Sequence, residues 1–363
     1  MEKYLVLEHS LYHVDREKND IELDNLEKGK AEEYVYSIIQ KSLYAENVRL
    51  FKPKSETKEA IALINEFIRN YIQGDKIGVA ATLEDQNCKK KQINDIASKI
   101  AYRLLDAEQK AQERIARLNK EIKKGSLIQA VIKDEEENEF CYILAKVEHI
   151  NILDKKDWEQ HTGLPLEKEI LKTCVILYNE DGSILEIKIF DTNNTIADYW
   201  WNELLELEPI TSNEKNTQDS YKEINKLLRN NIKEKSPADY TLMSNSLIGY
   251  YNQNPSFDFD ELVEKVFKNY NPIRKDDINL EAFIEKLNKL PENKFDKRFD
   301  ITPNVIRKRK ERTYNISDEI DLTLKDSVEN LADVIKSEKI SDDEMYIRIK
   351  VDEKTFADFN YNK

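Results

Sequence analysis

Residues 126–201 constrain the fold of this chain more than any other stretch. Within them, 127–132, 140–152 and 170–178 are apolar, β-branched runs separated by polar turns such as Asp134-Glu135-Glu136-Glu137-Asn138, the pattern of strands with short connections. Strands joined so closely pair antiparallel. The clearest hairpin joins Val175-Ile176-Leu177-Tyr178 to residues 184–190 through Asn179-Glu180-Asp181-Gly182, because Asp-Gly supplies the backbone angles of a tight turn. After the last strand, Asn194 or Thr195 is expected to cap a helix running through Ala197, Tyr199, Trp200 and Trp201 to Leu207, ended by Pro209.

The flanking sequence is mostly helical. An extended run over 4–14, a turn at 17–20 and a second short strand over 21–26 precede two amphipathic helices, 31–44 and 55–72, the second with Ser55 as N-cap. A third helix is the longest. Ile93, Ala97, Ile100, Leu104, Ala111, Ile115, Leu118 and Ile122 trace one apolar stripe that ends at Gly125. Its spacing is close to a heptad and suits a partner surface as well as a core face. Residues 211–217 are rich in Ser, Asn, Thr and Glu and read as an interdomain linker. Helices are expected over 221–232, 240–251, 258–270 and 280–290, then strands at 320–324 and 345–351 around a helix or loop at 328–335. The expected class is α+β: an N-terminal domain, 1–210, of helices around a mostly antiparallel sheet (126–191), and a helix-rich C-terminal domain, 211–363, ending in a short strand pair. A chain of 363 residues is long enough for two such cores.

Several chemistries are disfavoured at once. The seven glycines form no GxGxxG or GxxxxGK pattern, so the phosphate cradles of dinucleotide-binding and P-loop proteins are missing. Cys88, Cys141 and Cys174 read as reduced core residues. His9, His13, His149 and His161 lack zinc-site spacing, and His9 and His13 share an extended run where the i,i+4 geometry of a helix does not apply. No metal or other cofactor is expected. Without a leader or an apolar run of about 18 residues, the expectation is a cytoplasmic protein with no membrane insertion.

The formal charge of −14 opposes nucleic-acid binding, but it is unevenly spread. Residues 89–124 hold eleven Lys/Arg against five Asp/Glu, a net of +6, and 293–312 hold eight against three, a net of +5, while 316–363 carry −6. In the first patch Arg103, Lys110, Arg117 and Lys124 recur every seven residues along one side of the long predicted helix. They form either a phosphate-facing ridge or a solvated face laced by the i,i+4 pairs Asp106–Lys110 and Glu113–Arg117, with helix pairing as a third reading. In the second, Arg307, Lys308, Arg309, Lys310 and Arg312 make a basic run with aromatics nearby, suited to phosphate contacts.

Glu186-Ile187-Lys188 is the one tripeptide with a catalytic reading. ExK on a strand is the second half of the PD-(D/E)xK nuclease signature, where carboxylates hold a metal and the lysine orients water. Alternation puts Glu186 and Lys188 on one face. The preceding aspartate on its own strand is missing, since Asp181 lies in the turn five residues earlier.

The order of elements, from GSLIQAVIK through EFCYILAKVEHINIL and ILEIKIFDTNNTIADYWWNELL to DEMYIRIKVDEKTFADF, resembles the bacterial NdpA/YejK-like nucleoid-associated protein family across most of the chain. The resemblance implies a cytoplasmic, nucleoid-located, DNA-binding protein that is oligomeric and without known catalysis. It also implies, as a neighbouring possibility, a component of an anti-phage defence system with a partner protein. A metal-dependent nuclease and a protein-interaction scaffold stay open as alternatives.

Overall fold

The computed structural model describes residues 4–26, 29–55, 59–76, 83–118, 121–153, 155, 158–167, 171–193, 195–291 and 294–360; for 73–76, 83–89, 118, 308 and 309 it describes the backbone only. The class is α+β, with an eight-stranded antiparallel sheet and helices. The chain divides into two compact units, Met1–Thr211 and Ser212–Lys363.

The first unit runs β1 (Tyr4–Asp15), β2 (Asp20–Leu23), α1 (Lys30–Leu43), β3 (Arg49–Pro53), α2 (Glu59–Lys76), α3 (Leu83–Ile115), β4 (Gly125–Asp134), β5 (Glu139–Glu148), β6 (Ile150–Leu153), β7 (Gln160–Gly163), β8 (Leu171–Tyr178), β9 (Ile184–Asp191), a π-helical turn (Tyr199–Leu204) and β10 (Leu207–Pro209). The large sheet has the order β10-β3-β9-β8-β5-β4-β1-β2, and β6 and β7 form a separate hairpin. Its centre is the expected meander. Strands from the N-terminal region add to both sides of it.

Helices cover both faces of this sheet, which is why its strands read as continuous apolar runs. Leu127, Val131, Tyr142, Leu144, Cys174 and Ile176 share a core with α2 and α3. The alternate residues Ile128, Ala130, Ile132, Ile143, Ala145 and Val175 share one with α1. Cys141 and Cys174 are buried free thiols, and burial pushes the Cys141 thiol up to about 12; the Cys88 side chain lies outside the described residues. At Gly125 a Cβ would stand 2.6 Å from the Val147 carbonyl oxygen, so the close approach of β4 to β5 requires glycine there.

The long helix departs from expectation in two ways. Its stripe of Ile93, Ala97, Ile100, Leu104 and Ala111 is buried in the core and is not an open partner surface. It also ends at Ile115, followed by a 3-10 turn at Ala116–Leu118, so Ile122 lies beyond it and Gly125 opens β4 instead of capping a helix. A long-range tie fixes this exit. Gln112 Oε1 accepts from the Ile122 amide at 2.8 Å and from Arg16 Nη1 at 3.1 Å, and Arg16 Nη2 donates to the Ile122 carbonyl.

The expected Trp-containing helix is shorter too. It is a π-helical turn, and Glu206, at a φ of 54°, redirects the chain so that β10 pairs with β3. Pro209 is tolerated there because β10 is an edge strand. Trp200 is fully buried and its Nε1 donates to the Thr173 carbonyl at 3.3 Å. Of the two expected caps, Asn194 lies outside the described residues and Thr195 precedes the turn, whose N-cap position is Asp198.

The second unit runs α4 (Asn213–Leu228), a π-helical turn (Arg229–Lys233), α5 (Pro237–Gln253), β11 (Ser256–Asp258), α6 (Phe259–Leu262), a second π-helical turn (Val263–Lys268), α7 (Leu280–Asn288), β12 (Arg298–Asp300), a 3-10 turn (Pro303–Arg309), β13 (Arg312–Ser317), β14 (Ile320–Leu324), α8 (Leu331–Val334), β15 (Ile335–Lys339), β16 (Met345–Ile349) and α9 (Glu353–Asp358). Its core is aromatic: Tyr250, Tyr251 and Phe295 surround Phe257, which stacks on Phe299 with centroids 4.5 Å apart.

The stretch expected to be a linker is the start of α4. Ser212 caps it by accepting from the Lys215 amide at 3.2 Å. Asn216 and Thr217 are fully buried, and Asn216 exchanges two hydrogen bonds with Asp296, 2.7 and 3.0 Å. The chain also ends in two hairpins and not in one strand pair, because β14 pairs with β13 and β16 with β15.

Between α3 and the sheet lies a buried ion pair. Glu108 and Lys146 are both inaccessible, with Oε1 and Nζ 2.5 Å apart. Lys146 also donates to the Lys123 carbonyl at 3.1 Å and the Tyr199 hydroxyl at 3.2 Å, and Arg16 Nε lies 3.7 Å from the other Glu108 oxygen. Removing one member strands a charge in the interior. Glu108→Ala should therefore cost about 3–5 kcal/mol in urea unfolding, while Glu108→Leu combined with Lys146→Met restores most of the loss; a single-variant cost under about 1 kcal/mol would contradict this.

Candidate functional site

The large sheet ends in a polar cluster that its register assembles. β1 and β4 place His13 directly opposite Ser126, and the β1–β2 hairpin brings Asp24 beside His13. β5 ends at Glu148, so His149 follows at the same end. His13 Nε2 lies 3.0 Å from Asp24 Oδ2, His13 Nδ1 lies 2.7 Å from Ser126 Oγ, and that oxygen lies 2.7 Å from His149 Nε2. Four residues form one hydrogen-bonded chain. His13, His149, Lys124, Lys18 and Thr162 border an open cleft of about 480 Å³ above it.

The donor order follows from the carboxylate. Asp24 accepts, so His13 Nε2–H donates to it; with His13 neutral its Nδ1 accepts from the Ser126 hydroxyl, which accepts in turn from His149 Nε2–H. Protonating His13 reverses the hydroxyl. The chain can therefore pass a proton between two imidazoles. It does not make Ser126 a nucleophile open to substrate, because that residue is fully buried. Burial, with His13, Lys146 and Lys124 nearby, lowers the His149 pKa to about 4.

A second charged group lies alongside. Lys172 Nζ sits 2.8 Å from Glu148 and 3.8 Å from Asp191. Burial opposes its charge, yet Tyr199, Asp191 and Glu148 together hold its pKa above the ordinary lysine value. Asp191 is raised by burial despite Lys172 and the amides of Asn193 and Ala197, which both donate to it. These groups satisfy one another.

The expected nuclease pair shares a face of β9 but is closed on itself. Lys188 Nζ is 2.7 Å from Glu186 Oε2. Asp181 accepts from the Ser183 amide within the hairpin turn. Among the described residues no group of three metal-ligating side chains surrounds either residue or any other point.

The expected basic ridge does not form as one helical face. Arg103 lies on α3 and is held by Glu59 at 2.6 Å and Glu206 at 3.2 Å; Lys110 is held by Asp106 at 2.6 Å. Arg117 is exposed in the 3-10 turn past the helix, and Lys124 lies before β4, paired with Glu17 at 2.7 Å and Asp15 at 3.6 Å. Lys90, Lys91 and Lys99 are exposed on α3 and, like Arg117, have no ion pair among the described residues.

In the second unit the basic run is split by burial. Arg307 is exposed on the 3-10 turn that carries Lys308 and Arg309, whose side chains lie outside the described residues. Lys310 is only 5% exposed and bonds to Asn252. Arg312 opens β13, reaching Asn245 at 3.0 Å and the carbonyls of Thr241 and Asp326 at 3.3 Å, and burial lowers its pKa. These two are clamps of the fold.

The Asp24–His13–Ser126–His149 chain was not visible in the sequence. His13 and Ser126 become neighbours only through strand register, and no local spacing marks them.

Comparison with family models and with curated proteins returned no match. The pKa of His149 gives a direct test of the cluster. Its folded value, about 4, lies below the ordinary 6.5, so between these values the unfolded chain binds the proton first and stability falls as pH drops through that window. Above it the residue contributes no pH dependence. Urea midpoints measured from pH 7 to pH 4 should fall less steeply in His149→Asn than in the parent chain; parallel curves would refute the assignment.

Proposed function

We propose that this chain is a non-enzymatic DNA-associated protein that contacts backbone phosphate, similar in role to the nucleoid-associated proteins whose element order it resembles. A bacterial anti-phage defence system, with a partner protein, is a setting compatible with that role. The observation that carries the reading is the exposed Arg307 on the turn Pro303–Arg309, where the sequence sets Arg307, Lys308 and Arg309 in succession on an otherwise acidic chain. Lys90, Lys91, Lys99 and Arg117 give the first unit a second group of available cations. Local cations decide phosphate contact even where the total charge is negative.

Arg103, Lys110 and Lys124 can add to such contacts only by exchanging carboxylate partners, Lys310 only by leaving a buried site, and Arg312 only by giving up its bonds to Asn245 and to the Thr241 and Asp326 carbonyls. The absence of catalysis is part of the proposal. Its support is that Glu186 is neutralised by Lys188 and that the Ser126 hydroxyl is buried.

Anisotropy of a labelled duplex, titrated with protein over a range of salt, tests this reading. Affinity should fall steeply with salt, and replacing Arg307, Lys308 and Arg309 together by alanine should flatten the log–log slope by about 0.9 for each phosphate no longer neutralised. Arg312→Ala should instead lower thermal stability and leave the slope unchanged. No binding at about 50 mM salt would overturn the proposal. With magnesium or manganese present, neither the parent chain nor Glu186→Ala should cut the duplex, and cleavage by the parent that disappears in that variant would revive the nuclease.

A further inference from the structure

β15 and β16 form a hairpin of their own, in unbroken antiparallel register from Ile335↔Ile349 to Lys339↔Met345. Among the described residues β16 pairs with no other strand, so its outer edge is free. Met345, Ile347 and Ile349 point to one face and are 70%, 48% and 44% exposed. A two-stranded hairpin with an open apolar face is marginal in water. Free edges are normally blunted by proline, a bulge or clustered charge. β16 has no proline and no register shift, and Arg348 is its one charge.

We propose that β16 pairs antiparallel with β16 of a second copy of this chain, about a two-fold axis through Ile347. The strand is self-complementary in that register. Met345 falls opposite Ile349 and Ile347 opposite itself, which merges two apolar strips into one of six side chains across a four-stranded sheet. On the other face each Tyr346 meets Arg348 of the second copy, a cation–π pair made twice. The one charge of the strand thus never faces its own copy, whereas parallel pairing would set Arg348 against Arg348. Arg348 pairs with Glu338 of β15, on the side away from the open edge, so the cation–π contact is made by the guanidinium turning across the strand from that partner. The inference concerns assembly and is independent of DNA binding.

Sedimentation equilibrium of the full chain, without DNA, tests the proposal. The parent chain should be dimeric at micromolar concentration. Ile347→Lys sets two ammonium groups on the axis and should raise the midpoint concentration for dimerisation at least about tenfold, as should Ile347→Glu alone. Mixing the two variants should restore the dimer, because the opposite charges then meet across the axis. Circular dichroism confirms folding; where Ile347→Lys does not fold, Tyr346→Arg, which opposes two guanidinium groups on the other face, gives the same readout. A parent chain that remains monomeric at about 100 μM overturns the proposal and leaves the edge to a foreign strand. An unchanged midpoint in the charged variants, or a mixture that stays monomeric, overturns it equally.

Discussion

The first unit depends on how Glu108 and Lys146 satisfy each other. A carboxylate on a long helix and an ammonium on a central strand are each costly to bury, and each is tolerated only because the other is in contact. That requirement fixes the height of α3 over the sheet. It also orders what lies nearby, since Arg16 at the end of β1, Tyr199 in the π-helical turn and the carbonyl of Lys123 complete the same set of contacts. Segments distant in sequence are thereby held at one end of the sheet, where the Asp24–His13–Ser126–His149 chain also lies.

Charge in this protein is therefore directed largely at itself. Seen as a sequence, the basic segments are reservoirs of phosphate-binding groups. In the folded chain Arg103, Lys124, Lys310 and Arg312 hold elements together, and the cations left to solvent are those with no ion pair among the described residues, such as Lys91, Arg117 and Arg307. Residue type sets what a group can bind; the neighbours decide whether it is available.

The central meander was legible because both of its faces are buried, which leaves long apolar runs broken only by turns as distinctive as Asp181-Gly182. Where the chain is governed by distant partners, local pattern misleads. Nothing near Ile122 shows that Gln112 and Arg16 will draw it out of the helix. The polar stretch before Tyr221 suggests solvated chain, yet Asn216 and Thr217 are interior residues whose polar atoms meet Asp296 and Thr302. The same limit hid the histidine chain, since a pairing 113 residues apart leaves no periodic trace.

The strand order has a consequence for how the chain is made. β4, β5, β8 and β9 are neighbours in the sheet and follow one another in sequence with only the β6–β7 hairpin between, but the strands that flank them, β1 on one side and β3 on the other, are synthesised much earlier. At about 5–20 residues per second, β1 leaves the ribosome roughly 6–24 s before its partner β4 exists. During that interval its apolar residues must be shielded by α1, by β2 or by a chaperone. The sheet is thus begun on its flanks, filled from its centre and closed by β10, its last-made strand, at one edge.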